Sequence, residues 1–541
     1  MRKILLYGAL FIVLILFAFS ILTPNFIGAQ DRASTRYSHR SREHFEMLSN
    51  PDSVQNGLNH LHKDAIETRY IDLNTENYAY IHENEFQDPL KSPLSTFSID
   101  VDTASYSNTR RFIDENQLPP KDAVRIEELI NYFPYHYSEP QSGQPFSITT
   151  NLTYSPWNPN NYLLRIGIKG KSLNLSQTPP ANLVFLIDVS GSMDMPNKLP
   201  LLKRSLKLLV DHLKASDHVS IVVYAGSAGL VLPPTPGDQK SVILNALEQL
   251  HAGGSTAGGA GLELAYKVAK AYFIKGGNNR IILATDGDFN VGVSSDAEME
   301  RMIEEKRKEG VFLTVVGFGT GNLKDSKMEK IADRGNGQYA YIDSILEAHK
   351  IFVEEMGGTL VTIAKDVKLQ LEFNPVKVKS YRLIGYENRR LASEDFEDDQ
   401  KDAGELGAGS TVTALYELEP AGGGKMGQNL RYQDTQVKAF AKTTDELVSL
   451  KLRYKSPQSE KSNLVSVTIK EQIQPWEQTS QDLKFTISVA AFGMLLRQSK
   501  YIGTWGFGEV LKLAEKNKGL DKNGYREDFI LLVKKAALIQ Q

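Results

Sequence analysis

Leu183-Val184-Phe185-Leu186-Ile187-Asp188-Val189-Ser190-Gly191-Ser192 runs from five apolar residues into an acid and a hydroxyl-rich turn. A short unbroken apolar run bounded by turn residues reads as a strand buried on both faces. Similar runs occupy 218–224, 281–284 and 312–316. Stretches of helical periodicity lie between them, near 198–213, 239–250, 258–273, 296–308 and 325–332. Buried strands alternating with amphipathic helices predict a mostly parallel sheet covered on both faces over 181–356. Ligands of such sheets bind beyond the carboxyl ends of the strands, and Asp188 stands at one of those ends.

The flanks read differently. Residues 95–180 carry two expected helices, 104–115 and 122–133, split by Pro119-Pro120, and then alternating strand patterns over 146–168. Residues 357–475 are β-rich, with alternation at Val367, Leu369, Leu371 and Phe373, at 412–418, at 450–454 and at 465–469. The economical reading is one β-sandwich interrupted by the α/β domain; two separate small sheets are the alternative. Three helices are expected over 476–541, at 483–497, 506–517 and 525–539. The whole is a multidomain α+β chain, a Rossmann-like α/β domain flanked by β-sandwich-like segments and a C-terminal helical region. The acidic stretch 395–399 and the glycine-rich 421–424 read as surface loops.

Arg2 and Lys3 precede an apolar run over 4–21, with small residues at Gly28-Ala29. This reads as a signal peptide over 1–29, cleaved after Ala29, or as an uncleaved signal anchor, since 18 apolar residues are just enough to cross a bilayer. The chain is therefore expected to be exported, to the periplasm or cell envelope, and held at the inner membrane if the segment stays. Polar residues 30–94 read as a flexible tether with at most a short helix.

Composition narrows the function. The 541 residues carry 62 Lys+Arg against 65 Asp+Glu and no cysteine. A net charge of −3 disfavours nucleic-acid binding. Without cysteine there is no disulfide, zinc knuckle, thiol catalysis or lipid-accepting Cys. Gly253-Gly254 is followed by no GK[ST], so a phosphate loop is disfavoured. His212, His218 and His251 lack metal-ligand spacing. Ser192 lacks the Gly-x-Ser-x-Gly elbow of a hydrolase nucleophile.

The informative constellation is an oxygen set. Asp188, Ser190 and Ser192 sit at i, i+2 and i+4 on one turn; Thr256 follows Gly253-Gly254-Ser255; Asp286 follows the strand at 281–284. Hard divalent cations take such oxygen ligands, Mg²⁺ in an octahedron. Five protein oxygens leave a position open to an outside carboxylate. The simpler role for Asp188, Ser190 and Ser192 is helix capping, which needs neither Thr256 nor Asp286. Asp194 and Asp288 read as exposed loop acids. Asp100 and Asp102 read as helix-capping and turn-forming acids rather than a Ca²⁺ site, and Trp157 as a turn anchor.

This pattern resembles the metal-ion-dependent adhesion site of von Willebrand factor type A domains: an Asp-x-Ser-x-Ser at Asp188, Ser190 and Ser192, a Thr at Thr256 and an Asp at Asp286. The segment 95–106, together with 402–409 and 489–497, resembles the exported bacterial YfbK-like group of such proteins. The resemblance implies a Rossmann-like domain that binds Mg²⁺, or Mn²⁺ or Ca²⁺, for contact with a protein partner offering an Asp or Glu. A non-enzymatic envelope protein is the reading; a metal-dependent hydrolase, or a scaffold with a purely stabilising metal, is the alternative.

Overall fold

The computed structural model describes residues 74–541 apart from 101, 174–177, 256–257, 288, 290–294, 356–360 and 423–436. In chain order its first elements are β1 (Leu94–Ser98), α1 (Ala104–Asp114), α2 (Ile126–Asn131), β2 (Phe146–Tyr154) and β3 (Tyr162–Gly170). The α/β unit follows with β4 (Ala181–Asp188), α3 (Leu199–Asp211), β5 (His218–Tyr224), β6 (Ala228–Pro236), α4 (Lys240–Glu248), α5 (Gly258–Ala271) and β7 (Asn278–Thr285). It closes with α6 (Asp296–Lys308), β8 (Val311–Phe318), α7 (Asp325–Arg334), β9 (Tyr339–Ile342) and α8 (Ile345–His349). Then come β10 (Thr362–Phe373), β11 (Val378–Ile384), β12 (Arg390–Leu391), β13 (Gly404–Gly407) and β14 (Thr411–Pro420). The last elements are α9 (Ala439–Thr443), β15 (Glu446–Lys455), β16 (Ser462–Lys470), α10 (Gln481–Leu496), α11 (Phe507–Lys516) and α12 (Tyr525–Ile539).

The α/β sheet has the order β6-β5-β4-β7-β8-β9. All its pairs are parallel except β5 with β6. Side chains of β4 alternate between the two faces: Leu183, Phe185 and Ile187 join α3 and α4, while Val184 and Leu186 join α5, α6 and α7. The chain leaves β4 toward β5 on one side and returns to β7 on the other. This reversal makes the carboxyl ends of β4 and β7 the topological switch point, where open α/β sheets place their ligand crevice. The edge strand β6 is not legible in the sequence, because Pro233 and Pro234 interrupt its pattern; prolines are tolerated only at such edges.

The two β-rich flanks form one sandwich. One sheet runs β12-β1-β10-β15-β16 with β13 also on β10; the other runs β11-β14-β3-β2. In the second, β3 from before the α/β unit pairs antiparallel with β14 from after it, Ile166 opposite Ala414. A single core joins Phe97, Leu369 and Leu450 with Leu164, Ile166 and Tyr416. Helices α1 and α2 join α10, α11 and α12 in another core, built on Phe133, Phe485, Phe492 and Phe529. Helix α10 is buried nearly all round, from Leu483 to Leu496. Among the described residues no helix is long and apolar enough to cross a membrane. The expected signal segment over 1–29 lies outside them.

Three expectations need correction. The stretch given to the tether packs against the body from Thr75 onward. Thr75 N donates to Gly321 O at 2.7 Å, Glu76 Oε1 accepts from Gly321 N at 2.9 Å, and Asn84 Nδ2 reaches Gly385 O at 2.8 Å. Polar composition hid this because the contacts are scattered hydrogen bonds, an ion pair of Glu76 with Arg111, and ring contacts of Tyr78 with Phe112 and Phe86 with Tyr501, none at a periodic spacing. The helix expected over 122–133 is split into a 3₁₀ turn, Lys121–Ala123, and α2. Arg125 between them is extended at φ −93° and ψ 106°, its N–H donating to Ser105 Oγ at 2.8 Å. Asp102 does not cap α1; its Oδ1 accepts from Tyr339 N at 2.7 Å and its Oδ2 meets Arg389 at 3.0 Å.

Candidate metal centre

Asp188 is the last residue of β4 and Asp286 the first after β7, so adjacent parallel strands deliver both carboxylates to the crevice. Both are fully buried. Asp188 Oδ1 accepts from Ser190 N at 2.9 Å, which folds the turn back on the carboxylate. Thr285 Oγ1 lies 3.3 Å from Asp188 Oδ2 and accepts from Gly287 N at 3.1 Å, tying the two strand ends together. The Ser190 and Ser192 hydroxyls are 3.1 Å apart; Ser190 is buried and Ser192 exposed, so the set opens to solvent on the Ser192 side.

Backbone bonds fix the loop that follows α4. Gly253 N donates to Val189 O at 2.7 Å, and Gly191 N donates to Gly254 O at 3.1 Å. These lock the glycine loop to the serine turn, with Gly254 at φ +84°. Thr256, the fifth expected ligand, and Asp288 lie outside the described residues. Asp194 is exposed, as a loop acid should be. Trp157 is buried, donates to Glu417 Oε1 at 3.2 Å and meets Trp505 edge to face, so it anchors the sandwich to the helices.

Two residues of this centre escape sequence reasoning. Lys198, just before α3 and 3% exposed, donates to Asp286 Oδ2 at 2.8 Å and to Asn322 Oδ1 at 3.1 Å. Asn322 also hydrogen-bonds Asp286. Gly287 lets the loop carrying Asn322 approach. It has φ +108°, and a Cβ there would lie 2.6 Å from Lys324 N. A lysine opening a helix reads as a surface residue, and its partners are distant in sequence, so no local signal marks it.

The electrostatics of the two acids diverge. Burial pushes Asp188 up to about 6; bonds from Ser190 oppose the rise and the charge of Asp286 adds to it. Burial also acts upward on Asp286, but bonds from Asn322 and Lys198, with the lysine's charge, hold it below the usual carboxylate range. The set holds two carboxylates, one ammonium and two hydroxyls, all its oxygens hard donors. It carries one negative charge more than its own cation cancels. That suits a hard divalent cation, and a soft metal poorly.

A second carboxylate cluster shows the contrast. Oxygens of Asp102, Glu128 and Glu329, all buried, lie within 4.8 Å of one another. Guanidiniums fill this place: Arg125 reaches Glu128 at 2.5 Å and Asp325 at 2.5 Å, and Arg389 reaches Asp102 at 3.0 Å, Glu329 at 3.1 Å and Asp333 at 2.5 Å. Arg110 makes a similar clamp on Asp343 and Glu347, each at 2.7 Å. These arginines fasten the α/β unit, through α7 and the residues after β9, to the sandwich and helices.

A mostly parallel sheet with an Asp-x-Ser-x-Ser turn at the end of one strand and a second acid just past the end of its neighbour is the arrangement of a von Willebrand factor type A domain. The family model described as von Willebrand factor type A domain matches residues 182–354, and one described as von Willebrand factor matches 72–165. A third, described as Uncharacterized protein YfbK, C-terminal, matches 358–539. The chain is 44% identical over 479 residues to Uncharacterized protein YfbK of Escherichia coli (strain K12), covering 87% of this chain and 83% of that one. The chain belongs to the YfbK family. It is also 30% identical over 193 residues to Uncharacterized protein sll0103 of Synechocystis sp. (strain ATCC 27184 / PCC 6803 / Kazusa), covering 35% of this chain and 44% of that protein. Among solved structures, the von Willebrand factor type A protein from Catenulispora acidiphila is similar at 18% identity and a TM-score of 0.41, over 73% of this chain and 91% of that one. Domains of this class commonly serve metal-dependent protein interaction and are mostly non-enzymatic.

Proposed function

We propose that this chain is an exported envelope protein whose α/β domain holds a divalent cation, Mg²⁺ first, and uses it to grip an Asp or Glu of a protein partner. Asp188, Ser190, Ser192, Thr256 and Asp286 would hold the ion. The observation that carries the reading is the delivery of Asp188 and Asp286 to one crevice, beside two serine hydroxyls and with negative charge in excess. When bound, the ion supplies an electropositive seat for an outside oxygen. The flanking sandwich and helices present that seat, since the arginine clamps fix them to the α/β unit. Export rests on the basic and then apolar sequence over 2–21.

The test is titration calorimetry with Mg²⁺ and Mn²⁺ on wild type and on Asp188→Ala/Ser190→Ala, followed by recovery of envelope proteins in Mg²⁺ or EDTA. Wild type should bind one ion and recover a partner only in Mg²⁺; the variant should do neither. Unchanged affinity and recovery in the folded variant overturn the proposal.

A further inference from the structure

Lys198 is an unusual neighbour for a cation site, because an ammonium competes electrostatically with the ion it adjoins. Its seat is nevertheless built. The side chain is 3% exposed, its Nζ has two acceptors on different loops, and its stem crosses Gly319 at φ +73°, where a Cβ would lie 2.3 Å from the lysine Cε. An ammonium so held is buried and hydrogen-bonded on both sides, and displacing it would leave the Asp286 and Asn322 acceptors without their donor. Asn322 serves both Lys198 and Asp286, so the lysine, the amide and the acid form one unit.

We propose that Lys198 is the charge-setting residue of the centre: it stays beside the bound ion, cancels one of the two carboxylates, and so makes the loaded site select an anionic partner. The inference rests on the cation-site reading above. With Asp188 and Asp286 alone, a divalent ion would be neutralised, and an arriving carboxylate would meet no net charge. With Lys198 present, the loaded centre keeps one positive charge. The same charge loosens the ion itself. Lys198 therefore trades retention of the metal for capture of the partner, and it is a positioning and specificity residue rather than a ligand. Arginine in its place would keep the charge; methionine or glutamine would remove it.

Two binding constants moving in opposite directions test this. Mn²⁺ affinity is measured by calorimetry on wild type, Lys198→Met, Lys198→Gln and Lys198→Arg, with circular dichroism confirming the fold. Acetate is the carboxylate probe; its binding to the Mn²⁺-loaded protein is read from the loss of Mn²⁺-driven water-proton relaxation. Loss of the charge should tighten Mn²⁺ and weaken acetate by about tenfold or more each, since a unit charge ~4 Å away acts several times more strongly in a partly buried site than in bulk water. Lys198→Gln keeps the hydrogen bonding and should follow Lys198→Met, while Lys198→Arg should stay near wild type. Unchanged Mn²⁺ affinity in both neutral variants overturns the inference and leaves the cation site standing. Tighter Mn²⁺ with unchanged acetate also overturns it, since the ammonium would then vacate when the ion binds. Failure of wild type to bind Mn²⁺ removes both readings at once.

Discussion

Two of the buried carboxylate clusters of this protein differ in the kind of cation they hold. At the crevice, Asp188 and Asp286 share one ammonium and face hydroxyls. At the junction, Asp102, Glu128, Asp325, Glu329 and Asp333 meet the guanidiniums of Arg125 and Arg389. A guanidinium offers five donors in a plane and takes up several carboxylate oxygens together; an ammonium is a point charge that leaves the rest of the site open. The choice of cation therefore separates a closed fastening from a site left open. Burial still holds the Asp102 carboxyl well above the usual range, against the pull of Arg389, so the fastening is costly to leave incomplete.

The largest effect should come from breaking the fastening. Arg389→Met strips four buried or half-buried acids of their shared partner and should cost about 3–5 kcal/mol in urea unfolding, while Mn²⁺ affinity stays put. A matching fall in metal affinity would show that the two clusters are coupled. Next, Asp188→Asn should lower Mn²⁺ affinity about 100-fold or more, and with it the stabilisation of ~2.7 kcal/mol that a ligand at a hundred times its Kd gives wild type. Without metal the same variant should unfold at or above the wild-type midpoint, because a buried charge has gone.

A third prediction uses pH. Glu127 is buried, and its Oε2 has no hydrogen-bond partner among the described residues. Burial, with the nearby charges of Glu387 and Glu128, pushes it up to about 7. The folded state then keeps this proton longer than the unfolded chain, whose glutamate titrates near ~4.3. Stability from this group is full below that value and is lost as pH rises toward 7, by about 2–4 kcal/mol. Glu127→Gln should flatten that decline, read as urea midpoints between pH 4 and 8. The smallest effect belongs to Thr285→Val, which removes the hydroxyl between Asp188 and Gly287. It should weaken Mn²⁺ severalfold and cost about 1 kcal/mol of stability, since the buried Gly287 N–H loses its acceptor.

The placing of the crevice acids was largely legible in the sequence and that of the fastening was not, for one physical reason. Asp188, Ser190 and Ser192 lie on one turn, and the apolar runs ending near Asp188 and Asp286 announce strands whose ends must be neighbours. Local pattern and a parallel sheet suffice. The pair Arg389–Asp102 spans 287 positions and Lys198–Asp286 spans 88, and neither residue differs in sequence from an exposed charge. The reading of one interrupted sandwich was available because alternation resumed after the α/β unit, but only the pairing of β3 with β14 decides it. The ordered stretch from Thr75 was missed because its scattered contacts leave no periodicity.

That same pairing has a consequence in time. Strand β3 is finished early, yet its neighbour β14 arrives about 240 residues later, which at ~5–20 residues per second is roughly 12–50 s of synthesis. During that interval the α/β unit has every strand it needs and can close on its own, while the β2–β3 ribbon waits with one edge bare. The α/β unit thus has all its strands before the sandwich does, and it holds apart two halves that can be joined only after it.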